Sequence, residues 1–223
     1  MKSKLVALLM VLGVATSAHA QFGGLLGGAK SGGGGDVGAM VEEFNRDATV
    51  INEAVSYSLI QIIAAMGTKE QIAAVKVIND NLKKTTDPKE KGSIQGTVLK
   101  DKTAEAEELL KDKEAASKIA SMTPDLQKKV AQSIFAVGIA ALKIPDMVAK
   151  GQQIVQGVGA NPMNITKVLP VKDGLTVFAA ALPKMPTLVS TGLKLMRDAK
   201  VDPGTPTKDA KLQSNPDVTI PGG

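Results

Sequence analysis

The sequence predicts an all-α fold: a helical bundle of about five to seven helices over roughly residues 39–200, between a flexible Gly-rich N-terminal linker and a disordered C-terminal tail. Two observations carry this. Apolar residues recur at spacings of three and four along most of residues 39–200, the period of a helix with one buried face. Helix start signals (Thr-Pro, Asp-Pro) and glycine stops divide the same stretch at helix-sized intervals. A competing strand pattern occurs in one place, residues 166–178.

The first helix spans about Ala39 to Met66. Met40, Phe44, Ala48, Ile51, Val55, Leu59, Ile62 and Met66 form one stripe, and Glu42, Glu43, Asn45, Arg46, Asn52 and Glu53 fall off it. Gly67 is placed to end it. Thr68 and Gln71 have the spacing of a capping box for the second helix, Lys69 to Lys84, whose inner face is Ile72, Val75, Ile78 and Leu82. Asp87-Pro88 restarts the chain, with Asp87 as N-cap and proline in the first turn. A long charged helix is expected from there toward Ile119. Its thin stripe is Val98, Ala106, Leu109, Leu110, Ala116 and Ile119, and pairs such as Glu107–Lys111 mark a solvated face.

Thr123-Pro124 opens the fourth helix, striped by Leu126, Val130, Ile134, Val137 and Ala141. Ile134 to Leu142 is almost wholly apolar, which predicts a central helix buried on most sides. Nine such residues fall short of the ~20 that a membrane span needs. Pro145 should kink or interrupt this helix, and Lys143 lies within its apolar part. Beyond Asn161-Pro162 a short helix is expected to stop before Pro170. Asp173-Gly174 is read as the N-cap of a helix reaching Leu182, with a hairpin turn as the alternative. Pro186 opens the last helix, with Val189, Leu193 and Met196 inside. From Val201 the chain is polar and punctuated by Pro203, Pro206, Pro216 and Pro221, so residues 201–223 are expected to be a disordered tail.

The first 20 residues read as a cleavable signal peptide. Lys2 and Lys4 precede a short apolar run, Leu5 to Val14, and Ala18-His19-Ala20 is a small-x-small cleavage site. Export to the periplasm or the medium is therefore expected, with no transmembrane segment in the mature chain. Residues 21–38 follow as a linker. Nine of the sixteen residues from Gly23 to Gly38 are glycine, too little apolar surface to offset backbone entropy. Phe22, Leu25 and Leu26 are its only sizeable apolar groups.

Cleavage has a chemical consequence. His19 is the single histidine and there is no cysteine. A mature chain without either cannot form a Ser-His-Asp or Cys-His catalytic arrangement, or a zinc, haem or iron–sulfur site that depends on those ligands. Aromatic residues are 2% of the chain, which argues against stacked sugar or single-stranded nucleic-acid sites. A formal charge of +5, reduced to +3 without Lys2 and Lys4, is no nucleic-acid footprint either.

What remains is plain binding, carboxylate chemistry or a Ser/Lys pair. Gly33-x-Gly35-x-x-Gly38 matches a dinucleotide fingerprint in letters, but a linker and not a strand feeds it. Paired carboxylates (Glu42/Glu43, Glu105/Glu107/Glu108, Asp112/Glu114) sit among lysines on charged helix. Ser190 and Lys194, or Thr97 and Lys100, have helical spacing for a nucleophile and its base. No catalytic, cofactor or metal site is assigned. The best functional lead is a soft interior of methionine, valine and alanine. Met66, Phe135, Met147, Phe178, Met185 and Met196 are the candidate lining of an apolar groove. The expected activity is non-catalytic binding of a lipid or other apolar ligand, an envelope component or a protein. The alternatives are a carboxylate- or Ser/Lys-dependent hydrolase and a membrane-active amphipathic protein.

Export is directly checkable. Protein secreted by a bacterial host should begin at Gln21 by N-terminal sequencing. Recovery of chains that retain Met1 would remove the export reading.

Overall fold

The computed structural model describes residues 37–158, 165–214 and 217–220. Among these are seven helices: α1 (Val37–Met66), α2 (Lys69–Lys84), α3 (Pro88–Lys111), α4 (Ala115–Ser121), α5 (Pro124–Val158), α6 (Ile165–Ala181) and α7 (Met185–Asp198). No strand occurs among the described residues. Residues 1–36, which hold the expected signal peptide and most of the expected linker, lie outside them, as does the Asn161-Pro162 start; Val37 and Gly38, expected in the linker, belong to the first turn of α1.

α1 is the hub. It packs most extensively on α5, then on α3, and also on α2 and α6. Its first half follows the predicted stripe, with Phe44, Ala48 and Ile51 buried and Glu42 and Glu43 exposed. Its second half does not. From Ala54 to Ala64 every residue is buried, because α2, α3 and α5 cover it from different sides. The most enclosed helix is thus α1 and not the Ile134–Leu142 stretch of α5, where Leu142 is 44% exposed.

Side-chain contacts fix the directions. Lys91 meets Glu53 at 3.2 Å, and Ser56 donates to the Gln95 carbonyl, so α3 runs alongside α1 in the same sense. Phe44 lies against Gly151 near one end of α5, while Gln61 and Lys129 both reach Thr219 near the other, so α5 is antiparallel to α1. α6 and α7 both pack on α3 and α5.

Local signals behave as the sequence predicts at three helix starts. Thr68 and Gln71 form the reciprocal capping box, with Thr68 N–H donating to Gln71 Oε1 at 2.8 Å. Asp87 accepts from Glu90 N–H at 2.8 Å, with Pro88 in the first turn. α7 begins with Pro186 in its first turn. Met185, Leu188 and Met196 are fully buried there, while Val189 and Leu193 are partly so.

Three expectations are corrected. The long charged helix breaks at Asp112, which leaves helical geometry (ψ 139°), and its carboxylate accepts from Glu114 N–H at 2.8 Å. That local bond competes with the helix ladder. The break frees α4 to pack on α7 and sends Lys118 to the Met66 carbonyl. Second, α6 runs unbroken through Pro170 and Asp173, so there is neither a hairpin nor a helix start at Asp173. Third, α5 is not interrupted at Pro145 but continues through it. Both prolines are exposed, so the carbonyl each deprives of a partner can turn to water.

The described residues of the tail, 201–214 and 217–220, form no helix or strand, as the prolines predict. Its composition does not reveal that parts of it lie against the bundle, with Leu212 and Val218 buried. α1 over Gly38–Met66 and α5 over Pro124–Gly157 are long and apolar enough to cross a membrane, but the relevant windows are 72% and 61% buried within the bundle.

Phe44 is the most demanding fit in this core. Its ring occupies a slot where α5 and α6 present Gly151 and Gly174; a Cβ on Gly151 would come within 2.8 Å of the ring and of Leu175. Phe44→Ala is expected to destabilise the fold by about 3–5 kcal/mol through the cavity left behind. Gly151→Ala should destabilise by ~1–3 kcal/mol through overpacking. Urea denaturation of both variants reads this out, and a change under ~0.5 kcal/mol in either would contradict the slot.

Candidate functional site

Five of the six proposed groove residues are interior side chains. Phe178, Met185 and Met196 are 0% exposed, Met66 is 1% and Met147 is 7%. Each is enclosed by the helix packing that the stripes demanded, so the structure does not gather them along an opening. Phe135 is the exception. It is half-buried on α5, and the chain's own Gly204 lies over its ring edge, 3.3 Å from where a Cβ would stand.

The nucleophile pairs do not assemble. Ser190 and Lys194 are both exposed, and Ser190 Oγ donates to the Thr187 carbonyl at 3.1 Å. Thr97 Oγ1 likewise donates to the Ser93 carbonyl. Each hydroxyl is engaged by its own helix backbone. Of the candidate carboxylates, Glu43 pairs with Lys150, Glu105 with Lys102 and Glu107 with Lys111, while Asp112 accepts from Glu114 N–H; Glu53 pairs with Lys91. Among the described residues no three acidic, histidine or cysteine side chains converge as a metal site. Tyr57 is buried beside the Glu53–Lys91 pair. Burial pushes its phenol up, Lys91 opposes this and Glu53 adds to it, a direction unsuited to a general base at neutral pH.

The recesses lie elsewhere, between α2 and α3. α2 packs on α1 but only lightly on α3, and the two helices leave a furrow between them. One end, about 440 Å³, is lined by Asn81, Lys84, Asp87, Glu90 and Ile94 and is mostly polar. The other, about 290 Å³, has an apolar floor of Ile78, Ile94 and Val98 under Thr97, Asp101 and Lys102. Ile94 lines both, so the two recesses adjoin along the α2–α3 furrow. Val77 stands beside it at 60% exposure, four residues before Asn81 and seven before Lys84, on the same face of α2. Ala73 and Ala74 are also exposed.

Sequence reasoning missed this furrow because it sought the largest apolar side chains, and those are the ones the core takes first. The available signal was Val77, an apolar residue lying off the inner face of an otherwise polar helix. Ile72 and Ile78, which that reading placed inside, are half-exposed because α3 does not close over them.

No protein-family model, curated protein or solved structure matches this chain.

The Glu43–Lys150 pair ties α1 to α5 at 2.9 Å, and the hydrogen bond and charge of Lys150 hold the Glu43 carboxyl below its ordinary value. A depressed folded-state pKa means the pair stabilises fully above the ordinary carboxylate range and loses its effect as pH falls through the folded value. NMR titration should therefore place Glu43 below a free glutamate. Lys150→Met should raise it toward the ordinary value, and an unchanged midpoint would show that Lys150 is not the main cause.

Proposed function

We propose that the chain is an exported, non-catalytic binding protein that presents the α2–α3 furrow to a protein partner. The observation that carries this reading is the apolar strip of exposed Val77 and half-buried Ile78 and Ile94 beside a polar rim. Small-molecule sites enclose most of their ligand in roughly 300–1,000 Å³. The apolar end here, about 290 Å³ and open, suits one or two inserted side chains better than a whole acyl chain. A helix or loop offering an apolar anchor to Ile94 and Val98, with polar flanks toward Lys84, Glu90 and Asp101, fits that chemistry. The composition supports the non-catalytic part, since the chain beyond Ala20 holds neither histidine nor cysteine. The short lysine-led leader supports a periplasmic or secreted location, where envelope proteins are the available partners.

A photo-crosslinking residue at position 77 should give a discrete protein adduct in the native host, whereas the same residue at Leu142, which is 44% exposed on α5, should not. Val77→Glu should leave stability within ~0.5 kcal/mol and weaken capture of the identified partner by tenfold or more. Identical adducts from both positions, or lipid adducts alone from position 77, would remove the protein-partner reading.

A further inference from the structure

α2 carries its own supports. Thr68 and Gln71 close the capping box at its start, and Lys76 faces Asp80 at 3.7 Å one turn along. Glu70 lies in its first turn and Lys83 and Lys84 in its last, the charges that the helix dipole favours at each end. Its hold on the bundle is slight by comparison. Of its 16 residues, Val75, Asn79 and Leu82 are buried, with Ile72 and Ile78 half-buried beside them. Among the described residues no side-chain hydrogen bond or ion pair joins α2 to another helix. The neighbouring helices are all tied to α1: α3 through Lys91–Glu53 and Ser56–Gln95, α5 through Lys150–Glu43, and α4 through Lys118 on the Met66 carbonyl.

Asn79 works against even this hold. It is 2% exposed, and nothing among the described residues donates to its Oδ1. A buried amide oxygen without a donor costs about 1–3 kcal/mol, and water supplies the donor once the residue is uncovered. The connections at both ends of α2 can absorb a rotation. Thr68 is extended (ψ 168°) after Gly67, and Thr85 and Asp87 are extended (ψ 116° and 121°) on either side of exposed Thr86. Few buried apolar contacts on an element that bonds mainly within itself mark a unit able to open below the free energy of global unfolding.

We infer that α2 is a hinged flap, loosened by Asn79, that lifts from α1 while the rest of the bundle stays folded. Lifting uncovers the face of α1 on which α2 packs, and turns the shallow α2–α3 furrow into a deeper groove floored by α1. The closed form keeps Val75 and Leu82 out of water, so the open form is a minor state. The motion itself does not depend on the proposed function; only the use of the deeper groove by a protein partner rests on that reading.

A chain without native cysteine makes the test direct. Val75→Cys on α2 and Val137→Cys on α5, made in separate chains, each place one thiol at a site that is 0% exposed. In native buffer a thiol reagent should label position 75 about tenfold or more faster than position 137. The rate at 75 should be nearly insensitive to low urea, because lifting one helix exposes little surface, whereas the rate at 137 should rise with urea as global unfolding does. Hydrogen exchange on the unaltered chain makes the same comparison without a substitution. A lifted helix of this length frays, so α2 amides should exchange about tenfold or more faster than those of Ala54–Ala64 in α1. Asn79→Leu, which removes the orphaned oxygen, should slow exchange in α2 about fivefold. Equal rates with equal urea dependence in α2 and in the rest of the bundle would overturn the inference. So would α2 exchange that Asn79→Leu does not slow. None of these measurements includes a partner, so their failure leaves the protein-partner reading to its own cross-linking test.

Discussion

Between Ala54 and Ala64, α1 has no face left for water. A helix enclosed on every side satisfies its own backbone, but any polar side chain on it must find a partner in a neighbour. Ser56 and Gln61 meet this demand in opposite directions. Ser56 reaches the Gln95 carbonyl of α3, and Gln61 reaches the backbone of Thr219 in the C-terminal segment. The polar residues of the most apolar helix thus determine what is fastened to it. The rest of the architecture depends on this enclosure, since α2, α3, α5 and α6 all pack on α1.

Scarcity of aromatic rings shapes how the enclosure is achieved. An interior of isoleucine, leucine, valine, methionine and alanine has few broad planar rings to span gaps between helices, so close helix approach supplies much of the packing contact. Gly151 and Gly174 make the slot for Phe44, and Gly192 lets α7 approach Ile134, where a Cβ would fall 2.9 Å from the isoleucine. Gly138 extends the device beyond the helices, because its notch receives Pro206 of the C-terminal segment.

The functional reading follows from what this packing consumes and what it leaves. The large apolar side chains that looked most able to line a groove are taken by the core. The acidic residues that looked most able to do chemistry are spread along charged helices, and Glu43, Glu105 and Glu107 among them are paired with lysines. The furrow remains because α2 leans on α1 without closing on α3. Its apolar residues are modest ones, exposed Val77 and half-buried Ile78 and Ile94, on helices whose other outward residues are mainly charged or polar.

The sequence by itself determined the helical class, most of the helix boundaries and the chemical exclusions. These are local or compositional properties: apolar spacing sets the buried face, Thr68, Gln71, Asp87 and Pro88 set helix starts, and a composition with no cysteine and His19 as its single histidine restricts the side chains available for chemistry. Only the tertiary structure decided which helix is central, where Asp112 breaks the charged helix, and that α5 and α6 pass through Pro145 and Pro170. It alone placed the furrow between α2 and α3 and laid the C-terminal segment on Gln61. Each of these depends on contacts between residues far apart in the chain or on a balance between a local bond and distant packing. Periodicity cannot encode that balance: it identifies the face that seeks burial and leaves open what will cover it.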